Sequence, residues 1–276
     1  MSVVDVNNIK IAYEMHGEGE PLILIHGYSY NKSVWTAQID SLSKFFKVIV
    51  YDLRGSGESS HPEERYTMED LVEDLRGLMD TLKIQNAHLA GWSLGGMIIQ
   101  NFILKYPEYG NKLVLIATNA GLSDSSGINM LRDSIIEIYE LRRTDPNTAF
   151  FKLARFMHSL KFRKKMEKNL TEKLHGLVTP EELITSSVKV QTEPLALKYL
   201  AEIVDNHNTL DRLHEIKNNT LILAGTKDSL ISLLLMEMIH EKLPNSTLEV
   251  FQGAGHMIFL EEAPKFNQIM IEYLNK

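Results

Sequence analysis

Along the chain, short apolar runs bounded by Gly, Pro or Asp alternate with longer stretches whose apolar residues return every three or four positions. Continuous short runs fit strands buried on both faces, and the longer period fits helices with one buried stripe. The strand-like runs are Leu22 to His26, Lys47 to Tyr51, Ala87 to Gly91, Lys112 to Ala117, Thr220 to Ala224 and Thr247 to Phe251. Ahead of them, Val3 to Val6 and Ile9 to Met15 alternate apolar with polar across Asn7-Asn8, which predicts an antiparallel hairpin at a sheet edge. The pattern predicts an α/β fold with a mostly parallel sheet of about eight strands.

Helices are predicted at Val34 to Ser43, Leu94 to Tyr106, Ser232 to Leu243 and Glu261 to Leu274. Another follows Thr67, which with Asp70 forms a capping box ahead of the stripe Met68, Leu71, Leu75 and Leu78. Between about Gly121 and Asn206 the strand signal stops. Ile128, Leu131, Ile135 and Ile138 mark one helix there, and Thr179-Pro180-Glu181-Glu182 opens a second. Residues 121–205 are therefore expected to form a helical cap inserted into a core of residues 1–120 and 206–276. Such an insertion would sit over the carboxyl end of the sheet, where open α/β sheets bind ligands. The alternative is a helical hairpin that covers only the sheet edge.

Composition narrows the function. The 276 residues carry 29 Lys+Arg and 36 Asp+Glu, a net charge of −7, which argues against a nucleic-acid binder. There is no cysteine, so disulfides, thiolate metal sites and cysteine nucleophiles are excluded together. The start of the chain lacks the pattern of a signal peptide and no apolar run is long enough for a membrane helix, so a cytoplasmic protein with no membrane partner is expected.

Gly91-Trp92-Ser93-Leu94-Gly95 fits G-x-S-x-G, the sharp strand-to-helix turn that lifts a serine out of a sheet, and the flanking runs supply the strand and the helix. A serine hydroxyl is a weak nucleophile at neutral pH, so it needs a base, and the base needs an orienting carboxylate. On such a fold the chain order is Ser, acid, His. Asp228 follows the run Thr220 to Ala224, and His256 follows the last strand in the loop Gly253-Ala254-Gly255-His256. The rival His26 is assigned to loop shaping, His88 to the core, and Asp205 and Asp211 to capping or solvation. An acid after the sixth strand is the other possible placement, but Asn119 stands there and Asp124 is a distant second choice.

An oxyanion formed by attack on a carbonyl needs backbone N–H donors, expected from Leu94 and Tyr28. Trp92, Met257 and the Tyr28 side chain are the candidate substrate contacts. Asp52 to Ser59 lacks the Lys-Ser/Thr of a phosphate loop and is read as a turn anchored by an Arg54 ion pair. No metal-ligand spacing is present, and neither a metal nor another cofactor is expected.

With these pieces in order, the chain resembles the α/β-hydrolase superfamily over nearly all of its length, and most of all its carboxylesterase, enol-lactonase and cofactor-free haloperoxidase branch. The matching segments are His26-Gly27, Asp52 to Ser59, Gly91 to Gly96, Gly225 to Asp228, and Gly253 to His256 followed by Glu261 and Pro264. The resemblance implies Ser93 as nucleophile, His256 as base and then acid, Asp228 as orienter, and hydrolysis of small esters or lactones in a pocket beneath the cap. Haloalkane dehalogenases and epoxide hydrolases carry Asp where this chain has Ser93. Carbon–carbon bond hydrolases usually have a more glycine-rich loop than Tyr28-Ser29-Tyr30-Asn31, and cleavage of a vinylogous diketone stays as the alternative reaction. The elbow also resembles that of methyl esterases acting on carrier-protein-linked pimeloyl groups, and seven cations against Glu167 between Lys152 and Lys168 offer a docking patch for an acidic carrier. The simpler reading of that run is a solvated face with Phe151, Leu153, Phe156, Met157 and Leu160 packed inward. A small-molecule receptor with slow residual hydrolysis is the non-enzymatic alternative.

Overall fold

The computed structural model describes residues 2–121, 126–189 and 192–276; Asp124 lies outside them. Strands β1 (Ser2–Val6) and β2 (Ile9–His16) pair antiparallel with Val6 opposite Ile9. Asn7 and Asn8 close the hairpin at φ of 48° and 64°, the left-handed pair that a two-residue turn between right-twisted strands demands and asparagine tolerates. Strand β3 (Glu20–Ile25) pairs parallel with both β4 (Phe46–Tyr51) and β5 (Ala87–Trp92), and β6 (Gly110–Ile116), β7 (Thr220–Gly225) and β8 (Ser246–Phe251) continue in parallel. The eight strands run in the order β1-β2-β4-β3-β5-β6-β7-β8, with β2 antiparallel to β4. Every residue of β5 and β7 is buried, whereas the edge strand β8 alternates in exposure, as its alternating sequence requires.

Helices flank the sheet. A short 3-10 helix, Lys32–Trp35, leads into α1 (Thr36–Leu42), so the single helix expected from Val34 is split; the Asn31 side chain caps the 3-10 turn by accepting from the Ser33 N–H. Helix α2 (Met68–Thr81) starts with the predicted capping box and buries Leu71, Leu75 and Leu78, each contributing about 1.5–3 kcal/mol. Helix α3 (Leu94–Lys105) follows Ser93.

Between β6 and β7 lie α4 (Ser126–Thr144), α5 (Pro146–Met157), α6 (Leu160–Lys168), α7 (Pro180–Lys189) and α8 (Pro194–Asn206). The Thr179–Glu182 capping box opens α7, with reciprocal bonds of 2.7 and 3.1 Å. Leu160, expected inside, is 57% exposed. It is the first residue of α6, where Phe162 and Met166, four apart, take the inward face and Ser159 caps the helix. Helix α9 (Leu233–Lys242) precedes β8. The helix expected from Glu261 to Leu274 starts at Ala263 as α11 (Ala263–Leu274), with Pro264 in its first turn, and a short helix α10 (Ile258–Glu261) precedes it.

Candidate active site

Strand β5 ends at Trp92 and α3 begins at Leu94, so one residue, Ser93, makes the whole turn. Its φ of 54° and ψ of −117° cost an L-residue about 1–3 kcal/mol. The strain is held by the sheet: the Ser93 N–H donates to the Ile116 carbonyl at 2.9 Å and Thr118 Oγ1 donates to the Ser93 carbonyl at 2.7 Å. Gly95 is required by close approach, since a Cβ there would sit 2.2 Å from the Ile25 carbonyl oxygen. Leu94 is the first residue of α3, so its N–H has no acceptor within the helix.

The loop after β8 brings His256 against the loop after β7. His256 Nδ1 lies 2.7 Å from Asp228 Oδ2, and Asp228 Oδ1 accepts from the N–H groups of Leu230 and Ile231 at 2.8 and 2.9 Å. An ionised carboxylate only accepts, so Nδ1 carries the proton of a neutral imidazole and Nε2 holds a lone pair. Both side chains are almost wholly buried. Trp92 fixes the loop, its Nε1–H donating to the His256 carbonyl at 3.1 Å with the two rings 5.2 Å apart.

Ser93 and His256 line one cavity of about 40 Å³. Tyr28, Trp92, Met97, Leu230 and Ile231 form its sheet side, and Ile128, Leu131, Arg132, Met157, Ala201 and Val204 come down from the insertion. The lining is mostly apolar with a few convergent polar groups, the usual make-up of a small-molecule site. Arg132 is neutralised by an ion pair between α4 and Asp205 of α8. Burial raises the pKa of the Tyr28 phenol, opposed by the charge of Arg132. Met257 does not join this cavity. The chain turns there, and its side chain lines a second cavity beside Arg142.

Residues 20–263 match the sequence profile of the α/β hydrolase fold. The chain belongs to this family of hydrolases. It is 28% identical over 273 residues, 97% of this chain and 96% of the other, to the AB hydrolase superfamily protein YisY of Bacillus subtilis. It is also 28% identical over 290 residues to the 2-hydroxy-6-oxo-6-phenylhexa-2,4-dienoate hydrolase of Comamonas testosteroni, covering 100% of this chain and 95% of that one. Among solved structures, a thermophilic esterase from Thermogutta terrifontis superposes with a TM-score of 0.82 at 26% identity, covering 100% of this chain and 98% of that one.

Other residues singled out in this hydrolase hold loops in place. His26 donates from Nδ1 to the Gly27 carbonyl at 2.9 Å and accepts at Nε2 from the Leu53 N–H at 3.0 Å; burial lowers its pKa and keeps it neutral. His88 is buried within β5. Arg54 grips Asp74 with two 2.6 Å bonds from Nε and Nη2. The Asn119 carbonyl accepts from Gln100 at 2.9 Å and its side chain accepts from the Gly121 N–H, while Asp211 is exposed. In the basic run, Lys161, Lys164, Lys165 and Lys168 are exposed and Lys152 pairs with Glu137.

Sequence reading gave no role to Lys32, Glu261 or Arg142. Lys32 bonds Asp52 through both its N–H, at 2.7 Å, and its ammonium, at 2.8 Å, and Glu261 ties the insertion to the His256 loop. Nothing in the local pattern marks Lys32 or Glu261, because their partners are distant in the chain. Among the described residues no cluster of three His, Asp or Glu could hold a metal ion, and no helix is long and apolar enough to cross a membrane.

Proposed function

We propose that this hydrolase cleaves small carboxylic esters or lactones through an acyl-enzyme on Ser93. The observation that carries the reading is the buried 2.7 Å bond between His256 Nδ1 and Asp228, which leaves Nε2 free to take a proton while His256 and the strained Ser93 line one cavity. In this mechanism Ser93 Oγ attacks the ester carbonyl while His256 Nε2 takes its proton. The imidazolium so formed is stabilised by Asp228, and the oxyanion by the N–H groups of Leu94 and Tyr28. The proton then passes from Nε2 to the departing alkoxide and the alcohol leaves. Water, deprotonated by His256, attacks the acyl-enzyme, and collapse of the second tetrahedral intermediate frees the acid and restores Ser93. The helical insertion acts as the cap that closes over the acyl group, and its apolar side chains favour an uncharged acyl chain next to Ser93.

Carbon–carbon bond hydrolysis is the second reading, favoured by the likeness to the Comamonas dienoate hydrolase over the whole chain. A panel of short-chain, long-chain, methyl and lactone esters, assayed with wild type and Ser93→Ala, tests the choice. Hydrolysis of p-nitrophenyl acetate that survives in Ser93→Ala would overturn the serine mechanism. Cleavage of a vinylogous diketone with no ester turned over would select the second reading. A carrier-borne methyl ester, docked on the exposed lysines of α6, is the narrower version of the first; it requires faster turnover of the carrier-linked than the free ester, and an advantage that salt abolishes.

A further inference from the structure

The second cavity, about 60 Å³, lies behind the wall of the first. Consecutive residues on three segments divide between the two: Tyr28, Met157 and His256 line the first, while Ser29, His158 and Met257 line the second. Tyr30, edge-on to Trp92 with ring centroids 5.0 Å apart, completes the partition.

Arg142 of α4 lines this second cavity and is only 6% exposed. No carboxylate among the described residues pairs with it, and no side chain or carbonyl among them accepts a hydrogen bond from it. The phenols of Tyr30 and Tyr139 act on it electrostatically, and the latter already donates to Glu193 at 2.7 Å. Burial draws its pKa down, the sign of a cation without enough compensation. Ten positions earlier on the same helix, Arg132 is neutralised by Asp205, so an unmatched cation is particular to the second cavity.

Ser29 is the other anomaly. It adopts a φ of 63°, unusual for serine, and its buried Oγ has no hydrogen-bond partner. A nearly buried cation without an ion-pair partner and a buried hydroxyl without a hydrogen-bond partner on one cavity are costly unless something polar fills it. No Asp or Glu is among its described lining residues, and Leu153, Phe150 and Leu260 give it apolar walls that strengthen any charge pair formed inside.

We infer that this cavity is a binding site for a small organic carboxylate, with Arg142 as counter-ion and Ser29 Oγ as a hydrogen-bond donor. The carboxylate belongs either to a free acid or to the far end of a substrate whose ester sits at Ser93. The site is read from Arg142 and Ser29 alone and does not rest on the esterase proposal.

The test is calorimetric titration of the full chain with succinate and, as its uncharged counterpart, succinamide. Neither is an ester, so the result is independent of turnover. Succinate should bind and succinamide should not; Arg142→Met should weaken succinate at least tenfold, Arg142→Lys should restore part of the loss, and Ser29→Ala should weaken it less. A thermal melt of Arg142→Met checks its fold, since removing an unmatched buried cation should not lower the midpoint. If Arg142→Met does not fold, Arg142→Lys and Ser29→Ala against succinate carry the test. Absence of succinate binding, equal binding of succinamide, or unchanged affinity in the folded variants would overturn the site. For the source, mono-p-nitrophenyl glutarate is compared with p-nitrophenyl butyrate. A tenfold fall in the ratio of their kcat/KM values in Arg142→Met assigns the carboxylate to the substrate, whereas an unchanged ratio with lost succinate binding assigns it to a free acid.

Discussion

Glu261 and Ser159, 102 positions apart, are joined through both carboxylate oxygens: Oε2 accepts from Ser159 Oγ at 2.6 Å and Oε1 from the Ser159 N–H at 2.8 Å. Oε1 also takes the Gly255 N–H at 3.2 Å and faces His158 Nδ1 at 3.3 Å. One buried carboxylate thus locks the α5–α6 junction to the residue before His256. Ser159→Ala should cost about 1.5–3 kcal/mol, the scale for a buried bond to a charged group, read as a lowered urea midpoint at unchanged slope. Burial by itself would raise the Glu261 pKa, but His158 and Ser159 outweigh it and the pKa is lowered. Its contribution is therefore full above its ordinary value of 4.5 and is lost as the pH falls below that through the depressed value. Glu261→Gln should flatten this part of the acid limb.

A second acid-sensitive group follows the last residue of α8. His207 lies between Asn101 Nδ2, which donates to its Nδ1 at 3.1 Å, and the Asn119 carbonyl, 3.2 Å from Nε2, an arrangement that satisfies a neutral ring. Burial lowers its pKa from 6.5 to about 4, only partly offset by the Asn119 bond. The unfolded chain therefore binds the proton more readily, and stability should fall as the pH drops from about 6.5 toward 4, by about 3 kcal/mol. His207→Gln should be less stable at neutral pH but lose less between those values; equal slopes in the two proteins would contradict the assignment.

Gly57 and Gly253 offer a matched pair of substitutions. Both have positive φ, 58° and 83°, so alanine is strained at either by about 1 kcal/mol. A Cβ at Gly57 would lie 2.3 Å from the Asp52 carboxylate, which holds Lys32 and the Glu58 N–H, whereas one at Gly253 meets nothing within 4 Å. Gly57→Ala should cost about 2–4 kcal/mol and Gly253→Ala about 1, measured by denaturant unfolding.

The contrast between those glycines marks what the sequence could reveal. Strands β3 to β7 announce themselves through continuous apolar runs, and the elbow at Ser93 through small residues that crowding requires. The Ser93, Asp228 and His256 loops are legible because each follows a recognisable strand. Arg142 was not legible: its significance is a missing partner, and an absence in space leaves no mark on a helical stripe. Met257, expected as a substrate contact, lines the second cavity rather than that of Ser93, since neighbours in sequence on an irregular loop face different cavities. Leu160 shows the limit of counting apolar residues without placing the helix start.

Replacement of Asp228 by asparagine discriminates most sharply among the roles proposed at Ser93. The native carboxylate accepts on both oxygens, from two backbone N–H groups on one side and from imidazole on the other. Asparagine has a single acceptor. Turned toward Leu230 and Ile231 it keeps two bonds, and its NH₂ then faces His256 Nδ1, which must become an acceptor. The ring proton moves to Nε2, where the lone pair for Ser93 is needed. Asp228→Asn should therefore retain the fold and a near-normal KM but lose about 10³ to 10⁴-fold in kcat toward p-nitrophenyl acetate. A loss below about tenfold would mean that Asp228 does not orient the base and that another carboxylate must be sought.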